Sequence, residues 1–439
     1  MSDSHQDGTT SILIKQIGSI WLIQMTLVII PLIDTYLLSG ISSTNVAGYA
    51  LANAFYGLWI LAAKGVLQGT SYAIAPRFGQ NDNAGIASLL IQSGWLLVIM
   101  TVVAWGLLWF SSLGIRQLSI SDDLKTLAVQ YLYVITMGVP AVLGIRILVA
   151  YLQAIDMSDV VFKILWMALP FKIIIGYGCV QGYFGNSWQG TTGTALSTNL
   201  YYWLVFVIVG YISYRRIHPY IHNTPITAFW AKWSEIRQLL GYGLPIGASY
   251  LAEYSLFPII ISLLAVANEN MLAAHEIMSN IYDLFLSLPI ALMIAMSIWL
   301  GQRYPSPSIA TLKTIKYAEM ILLGFAVVAG LVIYGTSSLW VGYYNIDTFS
   351  QELIFGALPL LILRGVFECT ASLNAFYLRA IGHGWSAFIF TMIGLWGIGF
   401  FGINFSDNLT INQIWQWLAL SYGIGWVLSR WWFWRVITR

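Results

Sequence analysis

The sequence predicts an all-α integral membrane protein, with twelve transmembrane helices in two six-helix bundles related by a pseudo-two-fold axis along the membrane normal. Three observations predict it. Hydrophobic residues make up 58% of the 439-residue chain and charged residues only 9%, with a mean hydropathy of +0.75; that balance belongs to chains dissolved in lipid. Apolar runs long enough to cross a hydrocarbon core of ~30 Å, about 20 residues each, follow one another with short polar breaks. A five-residue motif also recurs: "YLQAI" at 151–155 returns as "YLRAI" at 377–381.

Apolar runs and turn signals together divide the chain into helices at 14–38, 46–75, 86–112, 125–153, 160–182, 190–213, 239–267, 271–301, 313–342, 352–379, 384–404 and 411–437. The first follows the polar "MSDSHQDGTT", which has no basic stretch before it, and its apolar run is too long for a signal peptide. It is expected to stay as a helix. Between the sixth and seventh runs lies the one long polar connection, 214–238, "YRRIHPYIHNTPITAFWAKWSEIRQ". The expected organisation is therefore an N-lobe at 1–213, a cytoplasmic linker at 214–238 and a C-lobe at 239–439.

The repeat extends beyond one motif. At the same offset "RF" at 77–78 meets "RY" at 303–304, and one residue away Asn53-Ala54-Phe55-Tyr56 aligns with Asn280-Ile281-Tyr282. A six-helix unit crosses the membrane an even number of times, so its copy inserts in the same orientation. Two parallel bundles with a cleft between them suit a carrier that alternates access.

Basic residues orient the bundle, because Lys and Arg in short loops stay on the cytoplasmic side. With the N-terminus inside, that side holds Lys15, Arg77, Lys163, Arg215, Arg216, Lys232, Arg237, Arg303, Lys313, Lys316, Arg379, Arg430, Arg435 and Arg439, against only Arg116 and Lys125 outside. Both termini are expected in the cytoplasm, and the bacterial inner membrane is the expected location.

Ionisable groups inside the helices are costly, ~2.5–3.5 kcal/mol each at the bilayer centre, so each needs a partner or a polar cavity. The acids are Asp34, Glu253, Glu276, Asp283 and Glu368, with Glu319 nearer a helix end; the bases are Lys64, Arg146, Lys172 and Arg364. The N-lobe is rich in bases and the C-lobe in acids. A rise of ~1.5 Å per residue puts Glu253 close to mid-bilayer. Arg364 and Glu368 stand i,i+4 and can pair locally, Glu276 and Asp283 share a helix face with Asn280 between them, and Lys172 can neutralise Asp34. Partly desolvated carboxylates take up a proton at moderate pH or ligate sodium, and either property couples a gradient to transport. Tyr36, Tyr254 and Tyr282 are candidate cavity-lining aromatics.

Several other chemistries are disfavoured. Cys179 and Cys369 are not spaced as CxxC and sit in apolar segments, where they read as packing residues. His218 and His222 have HxxxH spacing but Pro219 lies between them, and "HEIMS" at 275–279 lacks a second histidine. There is no GxxxxGK loop for nucleotide phosphates, and the one Asp-Asp, in "SDDLK" at 121–125, lies on the outer side, away from where a membrane-embedded transferase would hold its metal. An enzyme is not expected, nor a nucleic-acid partner.

The same segments resemble the multidrug and toxic compound extrusion (MATE) family, in its NorM-like branch. "PLIDTYLLSG" resembles that family's first helix, "GLPIGASYLAEYSLF" at 243–257 its seventh, "LAAHEIMSNIYDLFLSLPIALMIAMSIWLGQR" at 272–303 its eighth, and "ECTASLNAFYLRAIG" at 368–382 its tenth. The resemblance implies a secondary-active exporter with no cofactor, exchanging a small organic solute for Na+ or H+. It puts Glu253 at the branch's cation-coupling glutamate and Glu368 in place of an aspartate of the cation site, so Na+ at Glu253 and Glu368 is an expectation, with Asp283 as a third coupling acid. The cavity set is then Asp34, Lys172, Glu276, Asn280, Lys64, Arg146, Arg364, Tyr36, Tyr254 and Tyr282. The chain departs from the pattern at Ala168 and Lys172, where the family carries asparagine or aspartate, and in its extra charges. A polar metabolite and ordinary drugs both remain open as cargo, a lipid-linked saccharide flippase is the alternative transporter, and a lipid-surrounded monomer is expected.

Overall fold

A chain this apolar has to bond its backbone within each segment once inside lipid, because no water is there to do so. The computed structural model is helical accordingly, with no strand among the described residues. Its backbone is described for residues 2–41, 43–117, 122–185, 188–221, 229–267, 269–304, 308–343, 348–406 and 410–438. The side chains of Lys15, His218, His222, Glu276, Asn280 and Arg439 lie outside the described residues.

Among the described residues twelve long helical segments follow one another. They are α1 (Ser2–Ser39), α2 (Ser43–Gly79), α3 (Asn83–Gln117), α4 (Asp122–Ala154), α5 (Ser158–Val180) and α6 (Thr191–Ile221). Then come α7 (Trp233–Ala267), α8 (Glu269–Gly301), α9 (Ile309–Gly335), α10 (Thr348–Ala380), α11 (Gly384–Asn404) and α12 (Ile411–Ile437). Among the described residues nine segments are long and apolar enough to cross a membrane by composition. The remaining three, α2, α7 and α12, are long enough at ~1.5 Å per residue but diluted by Gly, Ala, Trp and Tyr.

Two boundaries differ from expectation. The polar stretch 214–238 is largely helix, since α6 runs to Ile221 and α7 starts at Trp233. A helix need not stop at the membrane surface, and the exposed Arg215 and Arg216 lie toward the C-terminal end of α6, where positive charge suits the helix dipole. α9 stops at Gly335, and Ser337–Tyr343 is a separate short helix. The run Gly335-Thr336-Ser337-Ser338 holds weak helix formers, and the Thr336 hydroxyl donates to the Val332 carbonyl at 2.7 Å.

The chain divides into two compact units, Met1–Gly247 and Ala248–Arg439. In the first, α2 packs on α3 and on both halves of α4, while α5 lies against α1 and α6. In the second, α10 is central, touching α8, α9 and α12, and α11 packs on α12. Leu256, Ile260, Ala371, Leu395, Ile403, Ile414, Leu418 and Tyr422 form one of its buried clusters.

The duplication is visible at two helix ends. After α4, Asp156 takes a positive φ of 62°, and the Met157 N–H reaches back to the Leu152 carbonyl at 2.7 Å. After α10, Gly382 takes φ 85°, and the His383 N–H reaches the Leu378 carbonyl at 2.7 Å. Both are left-handed caps of the Schellman kind, closing the two copies of the YLxAI motif. One copy meets the left-handed position with glycine and the other with aspartate, which tolerates it.

α4 is interrupted by a 3-10 turn at Thr136–Gly138, just before Pro140. Proline has no N–H to give the Thr136 carbonyl; that oxygen accepts from the Val139 N–H, which closes the 3-10 turn, and from the Trp105 indole at 2.9 Å, and the Met137 carbonyl accepts from Trp203 at 3.2 Å. The Val134 carbonyl accepts from the Asn199 amide at 2.6 Å. Side chains thus satisfy the backbone groups freed at membrane depth, as lipid requires.

The start of α7 is held on α2 and α3. Ser88 donates to Glu235 at 2.7 and 2.9 Å, and Gln92 bridges the Trp230 carbonyl and the Lys232 N–H at 3.1 and 2.8 Å. Beyond this polar contact the helices meet through glycine: a Cβ at Gly69 would lie 2.6 Å from the Gly243 nitrogen, and one at Gly243 would overlap the Val66 carbonyl. Gly243 and Gly247 form a small-xxx-small face of the kind that brings backbones together in membranes. Gly243→Val is expected to destabilise the protein by about 1–3 kcal/mol through overpacking, read as a lowered unfolding midpoint in detergent; an unchanged midpoint would refute the close contact.

Candidate functional site

The first unit buries one ion pair. Asp34 of α1 and Lys172 of α5 meet at 2.6 Å, at 3% and 0% side-chain exposure. The Lys172 ammonium also donates to Ser197 and Thr198 of α6, each at 2.8 Å, and the Thr198 hydroxyl donates to the second Asp34 oxygen at 3.3 Å. An ammonium has three N–H groups, and all three are used. The arrangement is a closed network linking three helices. Lys64 of α2 and Arg146 of α4 are each partly buried on helices that pack together. Tyr36 is 78% exposed.

The second unit holds a larger cluster centred on Arg364, which is 3% exposed on α10. Its Nε donates to Oε2 of Glu368 at 3.1 Å, one helical turn on. The same oxygen accepts from the Tyr282 hydroxyl of α8. The guanidinium carbon lies over three rings, Tyr282 at 4.4 Å, Trp415 at 5.2 Å and Tyr422 at 5.4 Å. Such faces attract a cation, by about 0.5–2 kcal/mol each. Tyr422 of α12 then donates to Oε1 of Glu253 on α7 at 3.1 Å. A chain of contacts therefore runs from Glu253 through Tyr422 and Arg364 to Glu368 and Tyr282.

Helix spacing explains how one element presents several of these groups. Arg364 and Glu368 are i,i+4 on α10, and Trp415 and Tyr422 are two turns apart on one face of α12. Gly365 leaves room beside Arg364, where an added Cβ would lie 3.1 Å from Phe285 and 3.4 Å from Tyr282. His275 of α8 is buried against Trp415, with ring centroids 5.4 Å apart.

Of the residues expected from sequence, Glu253, Glu368, Arg364 and Tyr282 come together, as do Asp34 and Lys172. Asp283 is exposed on α8 and Tyr254 half-exposed on α7. Glu319 pairs with Arg430 of α12 at 2.6 Å. Sequence reasoning missed Trp415, Tyr422, Ser197 and Thr198. Only the two-turn spacing on α12 could have signalled the first pair, and twenty tryptophans and 25 tyrosines hide it. Among the described residues no three His, Cys, Asp or Glu side chains converge as a metal site.

Comparison with known proteins agrees with this architecture. The MatE family model matches residues 20–178. A probable multidrug resistance protein NorM of Aromatoleum aromaticum is 25% identical over 84% of this chain and 80% of its own length. One from Listeria monocytogenes is 24% identical over 91% of this chain and 88% of its own. Among solved structures, a multidrug resistance MATE family transporter of the MOP superfamily, in its outward-facing conformation, superposes with a TM-score of 0.84 at 19% identity, covering 97% of this chain and 95% of that one. That likeness carries the fold, two lobes of six helices, while the family model and the NorM relatives show sequence similarity along the chain. The chain is thus similar to the MATE family of membrane transporters over residues 20–178 by the family model, and to NorM proteins over most of its length.

Proposed function

We propose that the protein is a secondary-active efflux antiporter, exporting a small organic solute from the cytoplasm in exchange for an external cation, Na+ or H+, by alternating access. The observation that carries this reading is the buried chain from Glu253 to Glu368 in the second unit. Two carboxylates at membrane depth, linked through aromatic hydroxyls and a guanidinium, are expensive to maintain and mark an ion path. The names of the NorM relatives, multidrug resistance proteins, support organic solutes as cargo. Coupling is assigned to Glu253, with Glu368 as the acid held by Arg364 and Asp283 as a further acid on α8. The protein works as a monomer in the bacterial inner membrane, with both termini cytoplasmic.

The cargo class follows from the first unit. Lys64 and Arg146 are partly buried there, in addition to the closed Asp34–Lys172 pair. Basic groups at membrane depth favour a zwitterion or anion over a lipophilic cation, so a polar metabolite is a second cargo beside drugs. Export assays on matched cationic dyes and anionic metabolites decide it, and strong cation export without anion transport would remove the metabolite.

The antiport reading is tested with purified protein in proteoliposomes. Glu253→Gln is expected to lower substrate-stimulated ion flux by about tenfold or more, equivalent to about 1.4 kcal/mol. Flux equal to the parent's would take Glu253 out of the mechanism.

A further inference from the structure

We propose that Arg364 is a resident cation that bars alkali-metal ions from the Glu253–Glu368 site, so that the ion coupled to transport is a proton carried on Glu253. The first half stands on the geometry alone; the second rests on the antiporter reading above.

A bound metal cation needs several oxygen ligands around it. Here one oxygen of each carboxylate is already committed. Oε2 of Glu368 accepts from both Arg364 and Tyr282, and Oε1 of Glu253 accepts from Tyr422. Sodium would have to displace these donors while lying beside a guanidinium, which does not deprotonate in proteins. Nor is Arg364 free to swing aside, because three rings stand at 4.4–5.4 Å from its guanidinium carbon. The cluster has the composition of a cation site whose cation is covalently attached.

A proton makes no such demand, because it needs one lone pair and no coordination shell. Glu253 is the acid placed to take it. Among the described residues it accepts from a neutral hydroxyl, that of Tyr422, whereas Glu368 is tied to the guanidinium. Among the described residues, the charged and titratable groups that act on it are Glu368, Arg364 and Arg379 of α10 and Tyr422 of α12; Asp283 of α8 and Glu253 both act on the adjacent Tyr254. From α11, Trp396 donates to the neighbouring Ala252 carbonyl at 2.9 Å and brings no charge.

The decisive measurement is equilibrium binding of radioactive Na+ to the purified full-length protein in detergent, which requires no knowledge of the cargo. The parent is expected to show no saturable binding, and Arg364→Gln, which removes the resident positive charge and its bond to Glu368, to acquire it. Saturable binding by the parent that Glu253→Gln abolishes would overturn the proposal even if Arg364→Gln failed to fold. In a second arm, proteoliposomes containing ethidium are given either a pH gradient or a Na+ gradient. Efflux through the parent is expected to be faster by about tenfold or more under the pH gradient. Efflux driven by Na+ at symmetric pH overturns the whole proposal. If neither gradient moves ethidium or an anionic test metabolite, the antiporter reading and the proton assignment fall together, while Na+ exclusion is still judged by the binding result.

Discussion

Replacing Lys172 with methionine is expected to destabilise the protein by about 3–5 kcal/mol, because it leaves the buried Asp34 carboxylate without its counter-ion. The cost is not the loss of one attraction. Asp34 is 2% exposed, and its remaining donor is Thr198 at 3.3 Å, so a full negative charge would stay in a site closed to water. Ser197 and Thr198 would also lose the ammonium they now accept from. On the scale of ~2–4 °C per kcal/mol for units of this size, the unfolding midpoint in detergent should fall on the order of 10 °C. The double replacement Asp34→Asn with Lys172→Met is expected to recover more than half of the loss, since the amide can still accept from Thr198 and carries no charge. A double variant as unstable as the single one would mean that the network stabilises through packing, not charge balance.

This network also shows how far sequence alone reaches. The Asp34–Lys172 pair is legible because two opposite charges stand in otherwise apolar runs, and neither can stay unpaired there. The Arg364–Glu368 pair is legible for a simpler reason, the i,i+4 spacing on one helix. The hydroxyls that complete both sites are not. Ser197 and Thr198 look like ordinary small residues of α6, and Tyr422 reaches Glu253 across 169 residues of chain with no local mark. The fold follows the same division. Twelve apolar runs and the YLxAI repeat give the helices and their duplication, and Pro140 signals a break in α4. Which side chains satisfy the freed carbonyls, Trp105, Trp203 and Asn199, depends on packing between helices distant in sequence. Helix ends beyond the membrane, as at Ile221 and Trp233, are set by capping and charge, which hydropathy does not report.

Arg364→Met is expected to cost a similar amount, about 3–5 kcal/mol, for a related but separable reason. Glu368 would be left buried and ionised, with the Tyr282 hydroxyl as its described donor, and the guanidinium would vanish from between Tyr282, Trp415 and Tyr422. Methionine fills much of the volume and contacts aromatic rings well, so the loss reports charge more than cavity. Combining Arg364→Met with Glu368→Gln removes the stranded charge while an amide oxygen still accepts from Tyr282, and should restore most of the stability. What remains lost in the double variant measures the contact of the cation with the three rings, about 0.5–2 kcal/mol for each well-placed face. Equal unfolding midpoints for the single and double variants would show that Glu368 does not depend on Arg364 for its charge, and the site would then be a hydroxyl-lined carboxylate pair open to other cations.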